Sequence, residues 1–259
     1  MFSTYVIQSG YLNPLLHLTS PPNPEHPTWV LGPMIRDTTD MLDKSVFFLE
    51  ETPDYYHASL YETTKTSFDE TGMLLHVDGV LLDTVGAVTE SSCPVVGDMD
   101  WEISDQWYLS ARALYFSHAV QTARPKLDEF WATICAGGRI PRIGIDLNKL
   151  FENAFAFDAY VRHTAMPTNQ GWAHFYHYAK MISEGRKFAM TEEGSPALVS
   201  VRAQPGDNLA VFLGCPIPFV IRPTARGLFR FIGSAHVHGF MDGEALQLDQ
   251  THRKTFVLE

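Results

Sequence analysis

Cysteine is scarce in this chain. Cys93, Cys135 and Cys215 are an odd number at wide spacing, which excludes a disulfide framework and a zinc-ligand pattern and fits a reducing compartment. Positive charge is scarce as well: 19 lysines and arginines face 30 acids, a net charge of −11. A surface of that sign repels a phosphate backbone. The basic clusters available to offset it, Arg139 with Arg142, Arg186 with Lys187, and Arg222 with Arg226 and Arg230, are short and interrupted. Nucleic acid is not an expected partner. No uncharged apolar run is long enough to cross a bilayer. The first twenty residues, MFSTYVIQSGYLNPLLHLTS, lack the basic start and continuous apolar core of a secretory signal. No membrane partner is expected, and the expected location is the cytoplasm.

What is present is globular. Apolar residues make up 45% and charged residues 19% of 259, ample for a buried core. Pro21, Pro22, Pro24 and Pro27 forbid regular structure near the start, and Thr28 to Leu31 reads as a short buried strand after them. Residues 55–90 read as β-structure. Leu75 and Val77 alternate with His76 and Asp78, Gly72 marks a turn, and Gly79 marks a bulge.

The middle is helical. Trp107, Ala111 and Leu114 recur at helical spacing, as do Leu127, Phe130, Trp131 and Ile134. A third stripe, Leu147, Leu150, Phe151, Ala154 and Val161, is interrupted by Asp158, with Asp146 placed as its N-cap. A fourth, Trp172, Phe175, Tyr176, Ala179 and Ile182, stops at Gly185, where a left-handed residue is wanted. Residues 137–144 read as a loop between helices. From Arg186 the pattern becomes short strands separated by Gly, Pro and Asp turns. The fold class is therefore α+β: an N-terminal β segment, central helices, and a C-terminal antiparallel β meander or small barrel. The division is 1–184, mixed β then helical, and 185–259, a β-rich subdomain, within one compact body.

The runs GRKFAMTEEG (185–194), PGDNLAVFLGCPIPFVIRP (205–223) and FIGSAHVHGFMDGEAL (231–246) resemble, in order and spacing, the region that follows the signature domain in fungal heterokaryon-incompatibility (HET-domain) proteins. EFWATI (129–134), Val80 to Val88 and Thr28-Trp29-Val30 are similar to earlier parts of the same region. The resemblance implies a companion region without the HET domain itself. It brings no catalytic residue with it.

Individual residues give weak chemical signals. His236 and His238 share one face of a strand, with Asp242 and Glu244 close behind, so a metal site is conceivable; turn chemistry accounts for them better. On that strand Phe229, Phe231, Gly233, Ala235 and Val237 read as one face and Arg230, Ser234, His236 and His238 as the other. His174 and His177 are three apart on a helix without a third ligand and read as a half-buried pair. The acids of RDTTDMLDK and GDMDWE read as solvated turns, and Cys215 as a small buried thiol. No metal and no cofactor are expected. Arg222, beside an apolar strand, is expected to pair with an acid, with anion recognition as the lesser reading.

Two functions remain open. The first is a non-catalytic module for interaction or sensing in fungal non-self recognition, its partner a protein. The second is a cofactor-free enzyme of fungal specialised metabolism, a cyclase or isomerase acting on a hydrophobic small molecule in an aromatic pocket between helices and sheet. Its candidate catalytic residues would be His174, Tyr176, His177, Arg222 and His236.

Overall fold

The computed structural model describes residues 27–29, 56–60, 62–64, 66–94, 101–119, 126–138, 147–163 and 171–259. Among them are two strands, β1 (Thr66–Phe68) and β2 (Leu75–Val88). Four helices follow: α1 (Trp101–Ala119), α2 (Leu127–Ile134), α3 (Leu147–Val161) and α4 (Gly171–Ser183). Six strands complete the order: β3 (Arg186–Thr191), β4 (Pro196–Ser200), β5 (Asn208–Phe212), β6 (Phe219–Pro223), β7 (Phe229–Val237) and β8 (Arg253–Leu258). The helices are where the apolar stripes place them. The α4 helix ends at Ser183, just before Gly185, which adopts φ 73°. Asp146 and most of the 137–144 loop lie outside the described residues. Thr28 and Trp29 form a turn rather than a strand, and Val30 and Leu31 lie outside the described residues.

The C-terminal strands close into a barrel, not an open meander. Hydrogen-bonded neighbours run β2, β3, β4, β7, β6, β5 and back to β2, all antiparallel. Strand β2 can serve both ends of this ring because it is 14 residues long. Its Gly79–Thr84 portion pairs with β5, and Val85–Val88 pairs with β3 on the opposite edge. Strand β8 forms a second bridge, antiparallel to Leu75–Val80 of β2 and parallel to β7 at Phe229.

Both faces of the ring are buried. One face carries Val80, Leu82, Val85, Ala189, Ala197, Val199, Leu209, Val211, Val220, Ile232, Ala235 and Val237, apolar side chains from all six strands, joined by Ala58, Ala203 and, from a short 3₁₀ turn, Ala245. The buried apolar side chains of the four α-helices all belong to the other face, so this set is the interior of the barrel. The other face is aromatic. Phe256 of β8 packs on Phe212 at 5.6 Å and on Phe229 at 5.4 Å, while Tyr115 and Phe130 of the helices meet Phe188 at 6.5 and 5.4 Å.

Two sequence expectations change in the ring. Gly79 is no bulge: it pairs in register with Phe212 and Lys254. It is required because a Cβ there would come within 2.5 Å of the Val211 carbonyl oxygen. The real register shifts fall between Leu81 and Asp83, between Val85 and Ala87, and between Val220 and Ile221 of β6. At the last, Val220 faces Gly233 and Ile221 faces Phe231, so Ile232 is an extra residue in β7. That insertion exchanges the faces. Phe229 and Phe231 lie with the aromatic cluster, whereas Ile232, Ala235 and Val237 point inward.

Candidate functional site

The helical layer is organised around a buried charge. Asp158 is the acid that interrupts the apolar stripe of α3, and it is 1% exposed. Arg112 of α1 reaches its Oδ1 with Nε at 2.6 Å, and Arg162, one turn further along, reaches Oδ2 with Nε at 2.9 Å. Tyr108 donates its hydroxyl to Oδ1 at 3.0 Å and accepts the Trp131 indole N–H at 3.2 Å. Burial, reinforced by the Asp158 charge, pushes the Tyr108 hydroxyl well above its ordinary range, so it stays a donor. The centre ties α1, α2 and α3 together. A carboxylate so fully hydrogen-bonded is a poor general base.

Close by, burial pushes Asp105 of α1 up to about 6, against a smaller opposing influence of His163. The folded chain therefore holds this proton more tightly than the unfolded chain. Its contribution to stability is complete below the ordinary aspartate value of 3.8 and is lost as pH rises through about 6. Asp105→Asn removes that loss. At pH 7 the variant is expected to gain about 1 kcal/mol, a figure reduced for the partial exposure of the group. Urea denaturation of both proteins at pH 4, 5, 6 and 7 checks this: an advantage that does not grow with pH refutes it.

A second polar lock closes one end of the barrel. Arg222 of β6 donates Nε to Oδ1 of Asp207 at 2.7 Å and Nη2 to Oδ2 at 2.9 Å. Asp207, at 0% exposure, also accepts the Gln204 backbone N–H. The acid partner expected for Arg222 is thus the aspartate of the Pro-Gly-Asp turn. The bidentate pair occupies the guanidinium edge that an anion would use.

The remaining candidate residues are dispersed. Tyr176 is buried in α4 with its ring 5.4 Å from Phe157. His174 and His177 lie on the exposed side of α4 and are not half-buried. His236 is buried on the aromatic face of β7, its ring 6.0 Å from that of Tyr56, whose hydroxyl donates to Ala136 O at 2.5 Å. Burial lowers His238, with Glu129 and Glu244 opposing. Glu244 begins a short 3₁₀ turn, in keeping with its place after Asp242-Gly243. Cys215 is buried, and burial pushes its thiol up, out of nucleophile range. Among the described residues no group of three histidine, cysteine, aspartate or glutamate side chains could hold a metal ion. No described helix is long and apolar enough to cross a membrane.

A closed ring of short antiparallel strands with this turn chemistry can be compared with known families. Residues 159–258 match the Het-6 beta-barrel domain. The chain is also similar to heterokaryon incompatibility protein 6, OR allele, of Neurospora crassa, at 34% identity over 86 residues. That match takes in 32% of this chain and 12% of the relative's length. No solved structure matches. The resemblance to the region that accompanies the HET domain is thereby shown.

The Het-6 barrel match begins one residue after Asp158 and includes Arg162, α4 and strands β3 to β8. Strand β2, which closes the ring, lies before it. So do Arg112, Tyr108 and Trp131, so the Asp158 centre straddles the start of the match. The sequence shows only half of that centre. Asp158 is visible as a charge in an apolar stripe with Arg162 four residues on, a spacing that puts both on one helix face. Arg112, 46 residues earlier, carries no such signal.

Proposed function

We propose that this chain is an accessory module of fungal non-self recognition that acts by binding other proteins and not by catalysis. The observation that carries the reading is the match to the Het-6 barrel together with what fills that barrel: Val, Leu, Ile and Ala side chains from six strands occupy its interior. Such a barrel leaves its loops and the exposed side of its helices for partners. The seam between helices and sheet supports the same reading. Tyr108 meets Phe130 at 5.4 Å and Phe157 at 4.9 Å, and Phe130 meets Phe188 at 5.4 Å, so rings take up the space that a cyclase or isomerase would give its substrate. In this role the chain would recognise a non-self protein or restrain a death-effector domain.

The test is co-expression of the full chain with a HET-domain protein in a fungal host. Viability is scored, and the chain is then recovered for native mass spectrometry. A change in death frequency with co-recovery of the HET-domain protein is expected. Recovery of the chain carrying a small molecule, with no effect on viability, would favour the enzyme and defeat this proposal.

A further inference from the structure

Among the described residues, two arginines use only part of their hydrogen-bonding capacity. A guanidinium has five N–H donors in a planar fork, and its strongest use is two parallel bonds to one oxyanion. Arg222 spends that fork on Asp207. Arg112 and Arg162 do not: each meets Asp158 through Nε alone. Among the described residues no other side-chain partner engages the terminal nitrogens of either one. Both side chains reach the surface, at 21% and 38% exposure, whereas Asp158 beneath them is at 2%. The Phe116 ring, 4.5 Å from the Arg112 guanidinium carbon, fixes the plane of that group. One carboxylate grips both guanidiniums from below, one on each oxygen. Two cations are thus held on the two oxygens of a single anion, with the Tyr108 hydroxyl as the further titratable group on that carboxylate.

We propose that Arg112 and Arg162 form a site for a phosphate group, free or carried as a monoester on a small molecule. Asp158 is a positioning residue that never touches the ligand. The positive charge supplies attraction within a chain of net charge −11, and the Nη edges, which no described side chain engages, supply the geometry. Lysines at the same positions would keep the charge and lose the fork. This inference is independent of the protein-binding role proposed above.

Calorimetry on the full chain tests it, titrating inorganic phosphate and, separately, phenyl phosphate at ionic strength matched with chloride. Saturable binding of at least one probe is expected. Tighter binding of phenyl phosphate marks a monoester as the natural form, and tighter inorganic phosphate marks the free ion. Arg162→Gln leaves Asp158 paired with Arg112 and Tyr108 and is expected to weaken binding about tenfold or more, and Arg162→Lys nearly as much. Arginine modification of the unsubstituted chain by phenylglyoxal, mapped by mass, supplies a readout that needs no variant. Phosphate should slow modification of Arg112 and Arg162. Absence of binding beyond the chloride control, unchanged affinity in folded Arg162→Gln, or no protection of these two arginines overturns the proposal.

Discussion

Residues 185–259 expressed alone are expected to show no cooperative thermal transition and no fixed near-UV signal, although six of the eight described strands lie within them. The missing piece is β2. It is the ring neighbour of both β3 and β5, and it pairs with β8 over Leu75–Val80. Without it Ala189 and Leu209 lose the inward-facing Val80, Leu82 and Val85, and Phe256 loses Leu75 and Val77. Each large apolar side chain of that set stabilises the fold by roughly 1.5–3 kcal/mol when fully buried. Five of them together match the ~5–15 kcal/mol by which a whole domain is usually stable. Two exposed edges would remain as well, each a template for aggregation. Adding a peptide of residues 66–94 in trans is expected to restore a transition. A fragment that melts cooperatively by itself would show that the β2 strand is dispensable and that the ring can close without it.

The same strand explains which parts of the fold were legible in the sequence. Turns set by Gly185, Gly194, Gly206 and Gly243 were readable because each needs a positive φ, and all four adopt one. Helical stripes were readable because one face of each helix is buried. Closure was legible only as one of two options, a small barrel beside an open meander, since nothing local in β2 announces pairing partners more than a hundred residues away on both edges. The face assignment in β7 failed for a related reason. Period-two alternation assumes an unbroken strand, and the extra Ile232 has no composition signal of its own. Arg222 was legible as a paired arginine because its acid sits in a turn motif. The Asp158 centre was half legible: the carboxylate is visible on α3, while Arg112 and Tyr108 come from another helix.

That centre carries the second large effect. Asp158→Ala is expected to destabilise the chain by about 3 kcal/mol at pH 7, the lower end of the ~3–5 kcal/mol typical when one partner of a buried ion pair is removed. The lower end applies because Arg112 and Arg162 can recover water at their exposed ends. Tyr108 cannot: its buried hydroxyl would lose its acceptor while still receiving the Trp131 N–H. Asp158→Asn keeps an acceptor for Tyr108 and cancels only the charge, so it should cost less, about 2 kcal/mol. The order is the informative part. Chemical denaturation that finds Asn as damaging as Ala would place the whole effect in the ion pairs. If neither substitution costs more than about 0.5 kcal/mol, α1, α2 and α3 are held by their aromatic seam alone, and the carboxylate is not what joins them.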